Sequence, residues 1–423
     1  MNKEESKDDN KYSAKLVILY YMLLPIYLIL QLKIGIKAHF IIPIIYLGII
    51  IKNYKKFNFK YLKYIIVFFM FQLPYSIWQY YNYLYNWFGL MYLLFICSLP
   101  WFVVGNSLNN LNEIIEVFKK NVYLILLSNI ALIIFCILTG RPMLGNMEIS
   151  YTILPLLLLS LLIFLNEKKI KFLMIALFSC TIVVIMGSRG TLLCIASFLI
   201  MYYIINFKKE FFHVIIIVTL LIGIIWNFNN ILAITINKFE SWGISSRTLY
   251  KLENGDILND TGRGKIQKVV IEALNEHPIL GLGIGGERII VNDKIYKMTK
   301  DMSTCYPHNL IIEIIAQYGY LVGTMLIVFL IGLLVNTIKN TNGNERNILL
   351  LLVSQEIIKL LVSSSYIISP MFFLVLGICF YKVREKWNEQ NCDYSAGNVT
   401  DPSGKRRSSW NGNWSINKWE WIA

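Results

Sequence analysis

Apolar runs, mostly about 17–22 residues long, recur from one end of the chain to the other, and short polar punctuation rich in Lys, Asn and Gly separates them. At about 1.5 Å of rise per residue, each run is long enough to cross roughly 30 Å of hydrocarbon as a helix. Twelve such spans are expected, near 15–32, 34–51, 62–80, 84–104, 121–139, 149–165, 171–187, 190–206, 213–234, 309–336, 347–365 and 367–381. The first two are joined by only a few residues, and the last two meet around Ser369 and Pro370. The fold class this predicts is an all-α polytopic membrane protein. Composition agrees, since 56% of residues are hydrophobic and only 16% are charged. The mean hydropathy of +0.54 lies outside the range of soluble proteins.

The polar punctuation carries its own signal. With the N-terminus inside, Lys52, Lys55, Lys56, Lys60, Lys63, Lys119, Lys120, Lys168, Lys169, Lys171, Lys208, Lys209, Lys339, Arg346, Lys382, Arg384 and Lys386 all fall in cytoplasmic segments. The short outer loops hold little besides Arg141 and Arg189, apart from Lys33 and Lys37 in the first hairpin. Most of the formal charge of +14 is therefore read as topology, with both termini cytoplasmic, and nucleic acid is not expected as a partner. The first span is expected to serve as its own anchor, because no small-residue cleavage site follows the charged leader. The seven cysteines show neither a disulfide framework nor metal-ligand spacing, and no metal or other cofactor is expected.

This topology divides the chain into spans one to nine (1–234), one long outer loop (235–307), spans ten to twelve (308–386) and a cytoplasmic tail (387–423) expected to be disordered. In the outer loop, Ile266, Val269, Val270, Ala273 and Leu274 form the stripe of an amphipathic helix, with Thr261 as N-cap and Pro278 as its stop. Gly281, Gly283, Gly285 and Gly286 follow a helix rather than a strand. They are read as a tight turn, or secondarily as an anion-binding nest, rather than a dinucleotide fingerprint. The segment NNLNEIIEVFKK is expected to form a short surface helix ahead of the fifth span.

Charged groups at membrane depth are costly and tend to face a water-filled cavity or a partner. Arg189, in MGSRGTLLC, is either a loop arginine reaching to lipid phosphate or a guanidinium presented to a phosphate ligand. Arg141, in LTGRPMLGN, poses the same choice, and Arg263 is either a solvated loop cation or a third such ligand. Arg288 and Arg247 read as solvated charges. His308 opens the tenth span, where the positive helix end disfavours imidazolium and leaves a neutral ring able to accept a proton. Glu313 and Gln317 lie one turn apart on a common face and are expected to brace the bundle, with Lys359 as a possible partner for Glu313. Arginines and one histidine at one face, without paired carboxylates, suit a lipid-linked diphosphate whose departure needs no metal.

GSRGTLL, TGRGKIQKVVIEALNEHPILGLGIGG and PHNLIIEIIAQYG, in that order, resemble successive blocks of the O-antigen ligase and O-antigen polymerase superfamily. The likeness covers about residues 185–325, and TGRPMLGN resembles the family's Arg-bearing stretch before the sixth span. Two departures stand out. Gly319 and Gly323 are four apart where the family often has Gly-x-x-Gly spacing, and Gln267 replaces the aromatic that usually follows the loop arginine. The resemblance implies a GT-C-like, inverting, metal-independent membrane glycosyltransferase. Arg189, Arg263 and, more weakly, Arg141 would bind the diphosphate, His308 would activate the acceptor hydroxyl, and Asn309, Glu313 and Gln317 would support them.

The function expected is polymerisation of undecaprenyl-diphosphate-linked repeat units into O-antigen or capsular polysaccharide, on the outer face of a bacterial cytoplasmic membrane. Its partners would be that lipid-linked glycan, membrane lipids, a flippase and a chain-length regulator. One alternative is a ligase moving finished polysaccharide onto lipid A core. Another is a flippase or exporter of the same glycans, although the chain lacks the internal repeats that transporters often show.

Overall fold

The computed structural model describes residues 3–34, 38–139, 147–186, 188–206, 263–298 and 304–397. All regular structure among them is helical, and they contain no strand. In chain order the helices are α1 (Lys3–Ile34), α2 (Ala38–Lys52), α3 (Leu62–Gln79), α4 (Leu84–Tyr92), α5 (Pro100–Asn106), α6 (Asn112–Leu138), α7 (Met147–Glu167) and α8 (Ile170–Met186). After them come α9 (Arg189–Asn206), α10 (Arg263–Glu276), α11 (Gly286–Lys294), α12 (Leu310–Asn340), α13 (Gly343–Val353), α14 (Lys359–Val362) and α15 (Pro370–Gly397). A π-turn over Leu93–Ser98 joins α4 to α5, and another over Ser354–Ile358 joins α13 to α14.

Six stretches among the described residues are long and apolar enough to cross a membrane: Asn10–Lys33, Trp87–Asn106, Asn112–Leu138, Met147–Glu167, Arg189–Asn206 and Leu310–Asn340. The shorter Pro43–Lys52 and Ile170–Val184 are apolar as well. The chain is thus an α-helical membrane protein, and six of its spans are clear among the described residues. Several expected spans are shorter or interrupted: α13 and α14 share one run but are separated by the π-turn. The expected ninth span, 213–234, lies outside the described residues, as do Thr261, Arg247 and most of the expected outer loop before Arg263.

Two segments differ from the sequence reading. NNLNEIIEVFKK is not a separate surface helix but the first turns of α6, whose start is tied down by the Leu111 amide donating to Glu345 Oε1 at 2.8 Å. Here a tertiary carboxylate satisfies an amide near the helix start, one of the donors an α-helix leaves unpaired there. The last helix runs past Trp387, where the disordered tail was expected to begin, and ends at Gly397.

The core is continuous and dominated by Leu, Ile and Phe from α1, α5, α6, α7 and α15. Backbones meet where α5 crosses α15. A Cβ at Gly105 would overlap the Leu374 carbonyl oxygen and one at Gly377 the Phe102 carbonyl oxygen, so only glycine permits this approach. The amphipathic helix is present as α10, with Ile266, Val270, Ala273 and Leu274 buried. Its apolar stripe packs with Leu282, Val291, Cys305 and Ala316 in a second, smaller cluster that joins the loop elements to α12.

Candidate functional site

The region of interest surrounds a break in a helix. α14 stops at Val362, and Ser363 (φ −150°, ψ −22°) leaves the helical conformation. The run SSSYIIS then passes through a single 3-10 turn at Tyr366–Ile368 before Pro370 starts α15. A helix end leaves carbonyl oxygens without intrahelical donors, and inside a membrane protein they must find others. Arg263 Nη1 donates to Val362 O at 2.6 Å. Ser363 O accepts from the Tyr306 hydroxyl at 3.3 Å and lies 3.1 Å from His308 Nδ1. Two successive carbonyls thus bring together residues more than fifty positions away in the chain.

His308 has a positive φ of 55°, in the left-handed region where His is tolerated better than most side chains. It does not belong to α12. The N-cap of that helix is Asn309, whose side chain accepts from the amides of Ile311 (3.0 Å) and Ile312 (3.2 Å). Because a carbonyl oxygen can only accept, the Ser363 contact assigns the proton to Nδ1 and leaves the Nε2 lone pair as the basic site. Burial lowers the His308 pKa below its ordinary value, the Ser363 bond opposes this, and the charges of Arg263 and Arg288 reinforce it. The ring is half-buried, so one side remains reachable.

Arg189 opens α9 directly after Ser188, whose Oγ accepts from the Thr191 amide at 3.5 Å and pairs with the Thr191 hydroxyl at 2.8 Å. A Cβ at the next residue, Gly190, would overlap the Tyr151 hydroxyl and lie 3.6 Å from Val362 Cγ2. The start of α9 therefore rests against the same residue whose carbonyl holds Arg263. Met147, opening α7, touches both sides of this junction: its sulfur lies 3.6 Å from Arg263 Nη2 and 3.7 Å from Ser363 Oγ.

Beneath His308 lies a fully buried polar cluster. Arg288 is not the solvated charge its loop position suggested, for its side chain is wholly buried. Its Nη2 reaches Glu313 Oε1 at 3.3 Å and donates to Ser365 Oγ, while its Nε is 3.5 Å from Glu287 Oε1. Ser365 in turn donates to Glu313. Gln317 Nε2 donates to Glu287 at 2.8 Å, and the Tyr366 hydroxyl donates to Gln317 Oε1. Burial, and after it the charge of Glu313, pushes the Glu287 carboxyl well above the usual carboxylate range. The cluster thus sets one guanidinium against two buried carboxyls, and burial favours the protonated form of Glu287. Lys359 takes no part and pairs with Glu356 at 3.4 Å instead of Glu313.

The glycine-rich turn locks this cluster to α12. Gly319 (φ 78°, ψ 171°) breaks α12 internally and frees two carbonyls. Leu282 N donates to Ala316 O at 2.6 Å, Gly283 N to Gln317 O at 3.1 Å, and Tyr320 N returns to Pro278 O at 2.9 Å. Ile284 N is held by Ser76 Oγ at 2.9 Å, and Trp87 Nε1 donates to Ile284 O at 2.9 Å. The amides of Gly281, Leu282, Gly283, Ile284 and Gly286 are thus spent within the protein, and the turn acts as a splint between the loop and α12.

The structure therefore brings His308 and Arg263 onto adjacent carbonyls and seats the start of α9, with Arg189, against the same junction. Glu313 and Gln317 lie in the buried cluster, and Asn309 caps α12. Arg141 lies outside the described residues. Sequence reasoning missed Ser363, Tyr306, Met147 and the buried role of Arg288. A triple serine followed by Pro370 inside an apolar run was the one available signal for the break. Chemically, two half-buried guanidiniums and a neutral imidazole with a free Nε2 suit an anionic leaving group and a proton to be removed beside it.

No curated protein and no solved structure matches the chain. Residues 172–328, which hold Arg189, Arg263, Arg288, His308 and Glu313, match the family model described as O-antigen ligase. That match, over these residues, supports the likeness of the chain to the O-antigen ligase and polymerase superfamily.

Proposed function

We propose that the chain polymerises undecaprenyl-diphosphate-linked oligosaccharide repeat units at the outer face of the bacterial cytoplasmic membrane, with inversion and without a metal. The observation that carries this reading is the pair of contacts at the helix break: His308 Nδ1 on Ser363 O, beside Arg263 on Val362 O. His308 Nε2 takes the proton of an acceptor hydroxyl as that oxygen attacks the anomeric carbon. The bond from that carbon to the diphosphate oxygen breaks, and its electron pair leaves with the diphosphate. Arg263 and Arg189 neutralise the departing charge, and the positive N-terminal end of α9 adds to them. Attack opposite the leaving group inverts the anomeric centre.

A ligase would run the same chemistry on a different acceptor, and the description of the matching family favours it as the second reading. The four-residue spacing of Gly319 and Gly323 and the Gln267 in place of an aromatic depart from the family pattern and favour polymerisation. The experiment that tests the proposal is His308→Ala in the producing strain, with lipid-linked glycans sized by gel. Single repeat units on the carrier, with long chains lost, are expected. Long chains accumulating on the carrier would point to ligation, and unchanged polysaccharide would remove His308 from the reaction.

A further inference from the structure

Three contacts converge on Tyr306, which neither the motif blocks nor the chemistry above employs. Its ring centroid lies 4.4 Å from that of His308, at 57°. On the ring's account too, the Arg288 guanidinium carbon stands 5.0 Å from the Tyr306 centroid. Its hydroxyl donates to Ser363 O at 3.3 Å, the same oxygen that holds His308 Nδ1. Arg288 is itself anchored by Glu313, Glu287 and Ser365, all fully buried, so the cation beside Tyr306 has little freedom to move.

These contacts matter because, among the described residues, the His308 side chain is given one hydrogen bond, to Ser363 O. His308 precedes α12 instead of sitting within it, and its backbone is in the left-handed region, which persists only where the surroundings hold it. One hydrogen bond to Ser363 leaves the imidazole free to swing about the Nδ1 contact. A ring packed against it removes that swing, and a hydroxyl on the same carbonyl fixes where the oxygen points.

We propose that Tyr306 is a positioning residue for His308, its ring wedged between Arg288 and the imidazole and its hydroxyl sharing the Ser363 carbonyl, so that Nε2 is held toward the acceptor hydroxyl. The proposal rests on the reading of His308 as the base. Tyr306 touches neither donor nor acceptor, so it acts on turnover and not on binding. It also shields the imidazole from water. The charged groups that face this pair are Arg263 from α10, Arg288 from α11 with Glu313 and Glu287 behind it, and Glu148 from α7, which acts on Tyr306. Wetting the imidazole removes part of the burial that holds it neutral, so the acid limb of the rate profile moves to higher pH.

The test uses purified full-length enzyme with a lipid-linked repeat unit, reading kcat and KM from pH 5.5 to 8 for wild type, Tyr306→Phe, Tyr306→Leu and His308→Ala. Loss of one hydrogen bond in Tyr306→Phe is expected to lower kcat roughly three- to tenfold at unchanged KM. Tyr306→Leu, which also loses the ring, should fall on the order of 100-fold, the scale of a small misplacement of a reacting group, with its acid limb shifted upward. Wild-type kcat and an unmoved acid limb in Tyr306→Leu, with His308→Ala inactive, would overturn the positioning role and leave the base in place. Activity in His308→Ala would overturn both. If Tyr306→Leu does not accumulate, Tyr306→Phe decides, and wild-type kcat there refutes the proposal.

Discussion

Removing the guanidinium of Arg288 perturbs the buried cluster in a way whose size follows from its composition. The wild-type cluster holds one cation and two carboxyls, all wholly buried, and burial favours the protonated form of Glu287. In Arg288→Met the length of the side chain is kept but any carboxylate charge that Arg288 holds on Glu313, 3.3 Å from its Nη2, loses its counter-charge. It escapes by taking up a proton, which from an ordinary value near 4.3 costs about 1.36 kcal/mol per pH unit, or roughly 3.7 kcal/mol at pH 7. This falls within the range of about 3–5 kcal/mol found when one member of a buried pair is removed. The sign of the pH dependence follows. A carboxyl protonated in the folded state but not in the unfolded one loses stability as pH rises above about 4.3, so the deficit should shrink to roughly 1 kcal/mol at pH 5. The assay is reversible unfolding in mixed detergent at pH 5, 6 and 7, with Arg288→Lys as a control that retains the charge. A deficit below about 1 kcal/mol at pH 7, or one that does not change between pH 7 and pH 5, would refute Arg288 as the counter-charge of this cluster.

Other consequences follow from the same geometry. Gly319→Ala should abolish folded protein on size exclusion, because its φ of 78° disfavours any side chain and the new Cβ would overlap the Ile279 carbonyl oxygen, whereas Gly332→Ala, with open space around it, should behave as wild type. Arg189→Lys should lower turnover about tenfold or more if a bidentate phosphate contact is made, and full activity would mean that a generic cation suffices. Treating purified enzyme with EDTA should leave its rate unchanged, and a loss restored by added divalent cation would overturn the metal-independent reading.

Helical class, membrane character and the amphipathic α10 were legible from periodicity and run length, because burial in lipid or against a core imposes those patterns locally. The likeness to the O-antigen ligase family was legible as well, through three short blocks that fall within the matched residues 172–328. Interruptions were not. The π-turns and the Gly319 kink fall inside otherwise apolar runs, and what decides them is which backbone groups find distant donors. The amides of Leu282 and Gly283 supply them for α12, and Arg263, Tyr306 and His308 supply them at the end of α14.

Arg288 shows the division most plainly. Read along the chain, it is one more cation in a polar loop, and nothing near it in sequence says otherwise except its neighbour Glu287. Its burial depends on the glycine turn docking into the break of α12, which brings Glu313 and Ser365 within reach from segments 25 and 77 residues away. Local patterns can state which residues prefer water or hydrocarbon, because that preference is a property of each side chain. Which charges meet depends on how separate segments fold back on one another, and that is decided only when the helices pack.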